Sequence, residues 1–291
     1  MCFCCPPAIS ALFCLYVQSG CNHGSVAAAL AFFPPDPPLY KMERLDKDGN
    51  SLPDSDTTNN DGQASPEEHN TNNNSSSSTT NANTTGRVEH IEDRDKSPAQ
   101  QLTERAQMLR QRAKTRNARD QQDVRDGVQY RFVLDPRLMR PPERGMTVEA
   151  IKVPSKRGVH LATVICRVPN PTSTTRTLLY SHGNATDVGA MFQIQTVLSQ
   201  SLQCNVVSYD YSGFGESGGT MAEQNTYTDI QSVYDYILDT KIAADPSRVV
   251  LYGQSVGSGP SCYLASKNRD VGGMILHSAF TSGMRVLTPS R

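Results

Sequence analysis

One short motif constrains this chain more than any other feature. The pentapeptide Gly253-Gln254-Ser255-Val256-Gly257 follows the apolar run 249–252 and precedes a helix-like stretch at 260–267. Glycine and serine also make ordinary turns, so the spacing gains its meaning from the preceding strand and the following helix. The glycines let the chain turn sharply and hold the serine in a strained conformation with its Oγ exposed. The sequence therefore predicts a nucleophile elbow with Ser255 as the catalytic residue.

From residue 128 onward, short apolar segments alternate with helical ones. A hairpin is predicted at 146–153 and 159–168, followed by strands at 177–181, 205–209, 249–252 and 271–276. Between them lie a helix at about 187–201, a helix opened by a capping box from Thr220 to Glu223, and the helix after the elbow. Strands that alternate with helices predict an α/β fold, with a mostly parallel sheet and helices on both faces.

The loops at the carboxyl ends of these strands are expected to carry the chemistry. A strand that runs into His182-Gly183 is where a serine hydrolase of this type places its second oxyanion donor. We predict that the backbone N–H groups of Asn184 and Val256 are the two donors, and that His182 braces the turn. Asp210, at the end of the next strand, is expected to hydrogen-bond to backbone. The glycines that follow it lack an acidic ribose partner, so a dinucleotide site is not predicted.

The first residues combine cysteines with short apolar runs. The run at 8–17 is too short to span a bilayer, and no charged residue precedes Asp36, unlike a secretory signal with its basic start. This pattern is typical of S-palmitoylation, and two or more acyl chains anchor a protein stably. We predict lipidation at Cys2, Cys4, Cys5 and Cys14. A hydrophobic arm packed on the domain, or a weak signal peptide, remains the alternative.

Metal and nucleic acid are not expected. The cysteine spacing lacks the two C-x₂-C pairs of a zinc site, so no metal and no other cofactor is predicted. A net charge of −1 gives no field that would attract nucleic acid.

Polar residues dominate the middle of the chain. An Asn/Ser/Thr-rich tract at 46–86 has little to bury and predicts disorder. Helical spacing within 87–126 predicts a solvated helical linker, with a helix lying on anionic lipid as the alternative. We therefore divide the chain into a cysteine-rich membrane-anchoring segment (1–40), a disordered or charged linker (41–127) and a partial α/β-hydrolase domain (128–291).

Several motifs together resemble one family, the α/β-hydrolase domain-containing protein 17 depalmitoylases. They are His182-Gly183-Asn184-Ala185, Ser208-Tyr209-Asp210-Tyr211-Ser212-Gly213, Leu251-Tyr252-Gly253-Gln254-Ser255, Leu276-His277-Ser278 and, at the N-terminus, Cys4-Cys5-Pro6-Pro7. The resemblance implies an α/β-hydrolase fold and hydrolysis of palmitoyl thioesters through an acyl-enzyme. It also implies S-palmitoylated membrane proteins as partners, at the cytoplasmic face of plasma and endosomal membranes, reached through a lipidated N-terminus.

The catalytic triad is where the sequence departs from this pattern. The fold supplies its acid and histidine after the serine, and the only candidates there are Asp270 and His277. Asp270 precedes the last strand, at the wrong edge of the sheet, and the family pattern places His277 beside the site. We therefore expect a C-terminally truncated domain that lacks its last strands, exposes an apolar edge at 271–276 and is poorly active. Two alternatives stay open: a non-catalytic membrane-bound binder of acylated proteins, or an esterase or peptidase with another substrate.

Overall fold

The computed structural model describes residues 32–53, 98–134, 145–243 and 245–280. Within these ranges the strands are β1 (Tyr40–Leu45), β2 (Gln129–Leu134), β3 (Thr147–Pro154), β4 (His160–Arg167), β5 (Thr177–Ser181), β6 (Asn205–Tyr209), β7 (Val249–Gln254) and β8 (Gly273–His277). The α-helices are α1 (Pro98–Asp126), α2 (Val188–Leu202), α3 (Glu223–Asp239) and α4 (Ser258–Lys267). The predicted cysteine-rich segment up to residue 31 and most of the polar tract lie outside the described residues.

The described strands form one sheet in the order β1-β2-β3-β4-β6-β5-β7-β8. The strands β6, β5, β7 and β8 are mutually parallel, and the β3–β4 pair is the predicted antiparallel hairpin. The sheet is mixed rather than mostly parallel, because β1 to β4 pair in antiparallel fashion and β4 joins β6 in the same way. Ser181 pairs with both Tyr209 and Gly253, so the loops after β5, β6 and β7 lie together at the carboxyl ends of these strands.

Helices cover both faces of the sheet, as the buried strands predicted. One core joins β-strand residues such as Leu179 and Val207 to Ile230 and Leu264 of α3 and α4. The other core joins alternate residues of the same strands, such as Leu178 and Val206, to Phe192 and its neighbours in α2. Successive side chains of a strand point to opposite faces, so the strands β3 to β7 each contribute to both cores.

Helix α1 packs onto the domain, so the prediction of a solvated linker is wrong for its second half. Asp120 and Asp123 are fully buried. Asp120 lies 3.1 Å from the Nζ of Lys152, and the two carboxylate oxygens of Asp123 share the single Nε–H of Arg44, at 3.0 and 2.9 Å. Buried carboxylates need such partners, because an unpaired charge in the interior is strongly unfavourable. Strand β1 is a second ordered stretch within the predicted linker.

The helix starts differ in one respect from the sequence prediction. Asp187 caps α2, its Oδ1 accepting from the N–H of Ala190 at 2.8 Å. Helix α3 begins after Ala222, without a side-chain cap, so the predicted capping box from Thr220 does not form. Instead the carbonyl of Thr220 accepts a hydrogen bond from Asn225 Nδ2 at 2.6 Å.

Strand β8 is the edge of the sheet within the described residues. Three of its apolar side chains are about two-fifths exposed: Met274 at 41%, Ile275 at 43% and Leu276 at 42%. This is the apolar edge that the sequence predicted at 271–276. In the part of the chain that the structure describes, no helix has the length and apolar character needed to cross a membrane.

Candidate active site

The turn between β7 and α4 has the conformation that the G-x-S-x-G motif predicted. Ser255 has a φ of +51°, in the left-handed region that residues with a Cβ rarely occupy. Both flanking glycines are needed for close packing. A Cβ at Gly253 would lie 2.6 Å from the carbonyl oxygen of Gly257, and one at Gly257 would lie 2.2 Å from that of Ser181. The elbow therefore holds the serine at the end of β7.

The loop after β5 lies directly beside this serine. A Cβ built on Gly183 would be 3.8 Å from the Cβ of Ser255, an ordinary contact distance. Asn184 follows in that loop, and Val256 follows Ser255 in the short 3₁₀ turn Ser255–Gly257. The structure thus brings together the elements that carry Ser255, Asn184 and Val256. That the N–H groups of Asn184 and Val256 bind an oxyanion stays a prediction.

His182 is buried under the loop and braces it, as the sequence indicated. Its Nδ1 lies 2.7 Å from the carbonyl oxygen of Gly183, and its ring stacks obliquely on Tyr211 at 4.4 Å between centroids. Tyr211 donates its hydroxyl to the carbonyl of His182 at 2.6 Å. The other ring nitrogen lies 3.2 Å from Oδ1 of Asp210, without the alignment of a hydrogen bond. Both nitrogens of His182 therefore face partners other than Ser255.

Asp270 and His277 are not brought together. His277 ends β8 beside Gln254, at the same carboxyl end of the sheet as the elbow. Its Nδ1 lies 3.0 Å from the hydroxyl of Tyr252. Asp270 precedes the other end of β8, and the strand alone spans roughly 13 Å. Among the residues that the structure describes, Ser255 Oγ makes no hydrogen bond to a histidine. The expectation that Asp270 and His277 form no triad with Ser255 agrees with this geometry.

Asp210 organises the loop after β6. Its Oδ1 accepts the N–H of Val188 at 2.9 Å, which confirms that it bonds to backbone. Its Oδ2 accepts the hydroxyl of Tyr40, and that hydroxyl oxygen accepts the N–H of Glu216 at 3.1 Å. Burial, with the charge of Asp210 beside it, raises the pKa of Tyr40, so the phenol keeps its proton and donates it. A Cβ at Gly215 would lie 1.8 Å from Oδ2 of Asp210, so only glycine fits against this carboxylate.

Two further buried carboxylates support the loops. Asp229 on α3 accepts the N–H of Ser212 at 2.7 Å and its hydroxyl at 2.9 Å. Burial raises the pKa of Asp229 to about 6 despite these hydrogen bonds. Burial and the nearby charge of Asp210 also raise the pKa of Asp187. No group of three or more His, Cys, Asp or Glu side chains that could hold a metal ion occurs within the described ranges.

Comparison with known proteins supports the α/β-hydrolase fold and identifies proteins that are similar to this chain. A model described as "alpha/beta hydrolase fold" matches residues 176–289. Alpha/beta hydrolase domain-containing protein 17B of Xenopus tropicalis is 41% identical over 143 residues, covering 49% of this chain and 48% of that protein. The human protein of the same name gives the same identity, length and coverage: 41%, 143 residues, 49% and 48%. The matched half of the chain is similar to the alpha/beta hydrolase domain-containing protein 17 proteins.

The chain spans about half the length of the curated relatives it matches. A solved structure titled "Bacterial Heroin Esterase" is 19% identical with a TM-score of 0.42, covering 50% of this chain and 48% of that chain. The α/β-hydrolase fold of this chain rests on the matched family model and on the parallel strands that end in the elbow. The predicted lipidation sites Cys2, Cys4, Cys5 and Cys14 lie outside the described residues.

Sequence reasoning missed the residues that approach the site from the N-terminal side. The N–H of Phe33 bonds to the side-chain oxygen of Asn184 at 2.9 Å, and the N–H of Leu39 bonds to Oδ2 of Asp187 at 2.8 Å. Both donors are backbone groups, which every residue except proline has, so no sequence signal marks them. Tyr40 was detectable: the buried Tyr40 and Met42 alternate with exposed or half-buried charged residues, as in a strand.

Proposed function

We propose that this chain is part of a serine hydrolase that removes palmitate from S-acylated membrane proteins. The observation that carries the proposal is the left-handed conformation of Ser255, held at the end of β7 beside the His182-Gly183 loop. Such an elbow presents a serine Oγ to a substrate carbonyl, with backbone N–H groups of two loops directed at the same point. Hydrolase activity agrees with the matched fold family.

The proposed reaction has two stages. In the first, Ser255 Oγ attacks the thioester carbonyl carbon, the C–S bond breaks, and the cysteine leaves with the serine proton as a thiol. In the second, water attacks the acyl-serine ester and palmitate is released while the serine recovers its proton. The N–H groups of Asn184 and Val256 would donate to the oxyanion in both stages. No cofactor enters the reaction.

Two exposed apolar side chains support an acyl substrate. Phe33 is 50% exposed and Leu39 is 37% exposed, and their own N–H groups bond to Asn184 and Asp187 of the loop beside Ser255. An apolar surface at this place suits a long acyl chain better than a peptide backbone with its polar groups. Lipidation of the N-terminal cysteines would hold the site at the cytoplasmic face of plasma and endosomal membranes, where S-palmitoylated proteins lie.

The first test is covalent labelling of the purified chain with a fluorophosphonate probe, beside Ser255→Ala. We expect labelling that the alanine variant abolishes. Turnover of a palmitoyl thioester, a short-chain thioester and a peptide is then compared, with the palmitoyl thioester hydrolysed fastest. Equal turnover of all chain lengths, or cleavage of the peptide alone, would show a different esterase or peptidase specificity.

One observation favours a second candidate, a non-catalytic membrane-bound binder of acylated proteins. Of the histidines near the site in the described ranges, His182 and His277 have other partners, and neither bonds to Ser255. A serine without a base is a weak nucleophile. A soluble, folded chain that binds palmitoylated peptide but leaves the probe unreacted would establish this function.

A further inference from the structure

Residues 32–40, here called the N-terminal strap, cross the loop that carries Asn184. Phe32 is buried against Phe214, the two rings meeting edge to face at 6.1 Å. The next N–H, of Phe33, bonds to Asn184 Oδ1, and the N–H of Leu39 bonds to Asp187 Oδ2. The strap is thus hydrogen-bonded to the loop at two points. The bonded residues are 151 and 148 positions apart in the chain.

The loop has features that call for such a restraint. Ala185 lies between Asn184 and Asp187 and has a φ of +54°. This left-handed conformation persists only where surrounding contacts impose it. Asp187 bonds to the strap with one carboxylate oxygen and caps α2 with the other. Asn184 is held through its side chain, and this restrains the orientation of its own peptide group, the predicted oxyanion donor. A donor of this kind acts only when it is fixed in place before the reaction.

The strap is itself anchored to the body of the domain. Tyr40, at its end, bonds to Asp210, and Asp36 pairs with Arg112 of α1 at 2.6 Å. Further along α1, Arg116 donates to the carbonyl oxygens of Gly215 and Ser217 at 2.7 and 3.1 Å. The restraint on Asn184 therefore comes from groups that are fixed independently of the loop.

We propose that the N-terminal strap is a positioning element for the oxyanion loop, acting through the hydrogen bond from the N–H of Phe33 to the side chain of Asn184. The proposal rests on the proposed function, because it concerns the reactivity of Ser255. It assigns a role to a segment outside the matched family model, which begins at residue 176. In this role Phe33 and the side chain of Asn184 position the loop, while the backbone N–H of Asn184 is the predicted oxyanion donor.

A matched pair of variants of the full chain isolates the hydrogen bond. Phe33→Pro removes the N–H donor and the ring, whereas Phe33→Ala removes only the ring, so their difference reports the N–H group. We expect fluorophosphonate labelling of Phe33→Pro to be at least about tenfold slower than that of Phe33→Ala, through the maximal rate rather than the half-saturating probe concentration. Amide exchange at 182–187 should be faster in the proline variant, with the two melting temperatures alike. Equal labelling rates would overturn the proposal.

Changes at the acceptor keep the test decisive if Phe33→Pro fails to fold. Asn184→Ala removes the acceptor, and Asn184→Asp keeps a carboxylate oxygen in its place. We expect slow labelling in the first and a rate nearer to wild type in the second; equal rates would overturn the proposal. Adding Asn184→Ala should slow labelling less in Phe33→Pro than in the wild-type chain, because the bond that the two residues share is already broken there.

Failure of the proposed function has a separate signature. If the wild-type chain does not react with the probe at all, the hydrolase proposal fails, and amide exchange alone then judges the strap. Faster exchange at 182–187 in Phe33→Pro than in Phe33→Ala would support the restraint, and equal exchange would overturn it.

Discussion

Tyr40 and Asp210 stand 170 positions apart in the chain, and a buried hydrogen bond joins them. The same carboxylate accepts the first N–H of α2, from Val188, and the same phenol oxygen accepts the N–H of Glu216. One pair of side chains thus fastens the first strand of the sheet to α2 and to the loop after β6. The connection therefore links the loop after β6 to the start of the helix that follows the Asn184 loop.

Replacing Tyr40 by phenylalanine is expected to lower the free energy of unfolding by about 1–3 kcal/mol. The change leaves Oδ2 of Asp210 and the N–H of Glu216 without this partner in a buried place, while the ring and its packing remain. Tyr227→Phe is the matched control, because it removes a hydroxyl whose partner, Glu223, is on the surface. The control should change stability by less than about 0.5 kcal/mol. Urea unfolding measures both, and equal effects would contradict the prediction.

The strained backbone conformation of Ser255 is expected to lower the free energy of unfolding. Ser255→Gly should be more stable than Ser255→Ala by about 1 kcal/mol, because glycine adopts a φ of +51° without strain and alanine keeps the Cβ that causes it. Both variants lack the hydroxyl, so the difference between their unfolding free energies isolates the strain. A glycine variant no more stable than the alanine variant would show that the turn is relaxed.

The two glycines at the start of α4 should respond in opposite directions to alanine. Gly257→Ala places a Cβ 2.2 Å from the carbonyl oxygen of Ser181, and we expect destabilisation of at least about 2 kcal/mol or loss of soluble protein. Gly259→Ala meets nothing within 4 Å, and we expect a gain of up to about 1 kcal/mol from the better helix former. Thermal unfolding of both variants checks this; a tolerated Gly257→Ala would mean that the elbow can open.

Asp229 should make stability depend on pH in a defined window. Its pKa is about 6 in the folded chain and about 4 when unfolded, so the folded state holds the extra proton between these values. The stability that this group contributes is present below about pH 4 and is lost as the pH rises to about 6, by on the order of 3 kcal/mol. Urea unfolding from pH 4 to 7 should show wild type losing stability relative to Asp229→Asn.

Ser212→Ala provides the control for this titration. The hydroxyl of Ser212 donates to Asp229 and lowers its pKa, so its removal should raise the pKa further and extend the window to higher pH. An unchanged window in Ser212→Ala, or an equal pH dependence in wild type and Asp229→Asn, would assign the titration to another group.

The sequence by itself determined the parts of this protein that local interactions control. The bounds of β5 and β6 agree with their apolar runs, since a strand buried on both faces needs continuous apolar residues. The elbow at Ser255 was equally visible, because glycines at fixed spacing are required wherever a backbone must pass another at short range. These signals lie within a few residues of the structure that they specify.

Only the tertiary structure decided how distant polar groups pair. Asp120 and Asp123 are indistinguishable in sequence from the charges of a solvated helix, and they are buried because Lys152 and Arg44 face them from other elements. The bond from Phe33 to Asn184 uses a backbone N–H group, which carries no sequence signal at all. Burying a polar group is favourable only when its partner arrives at the same place, and that depends on how the whole chain folds.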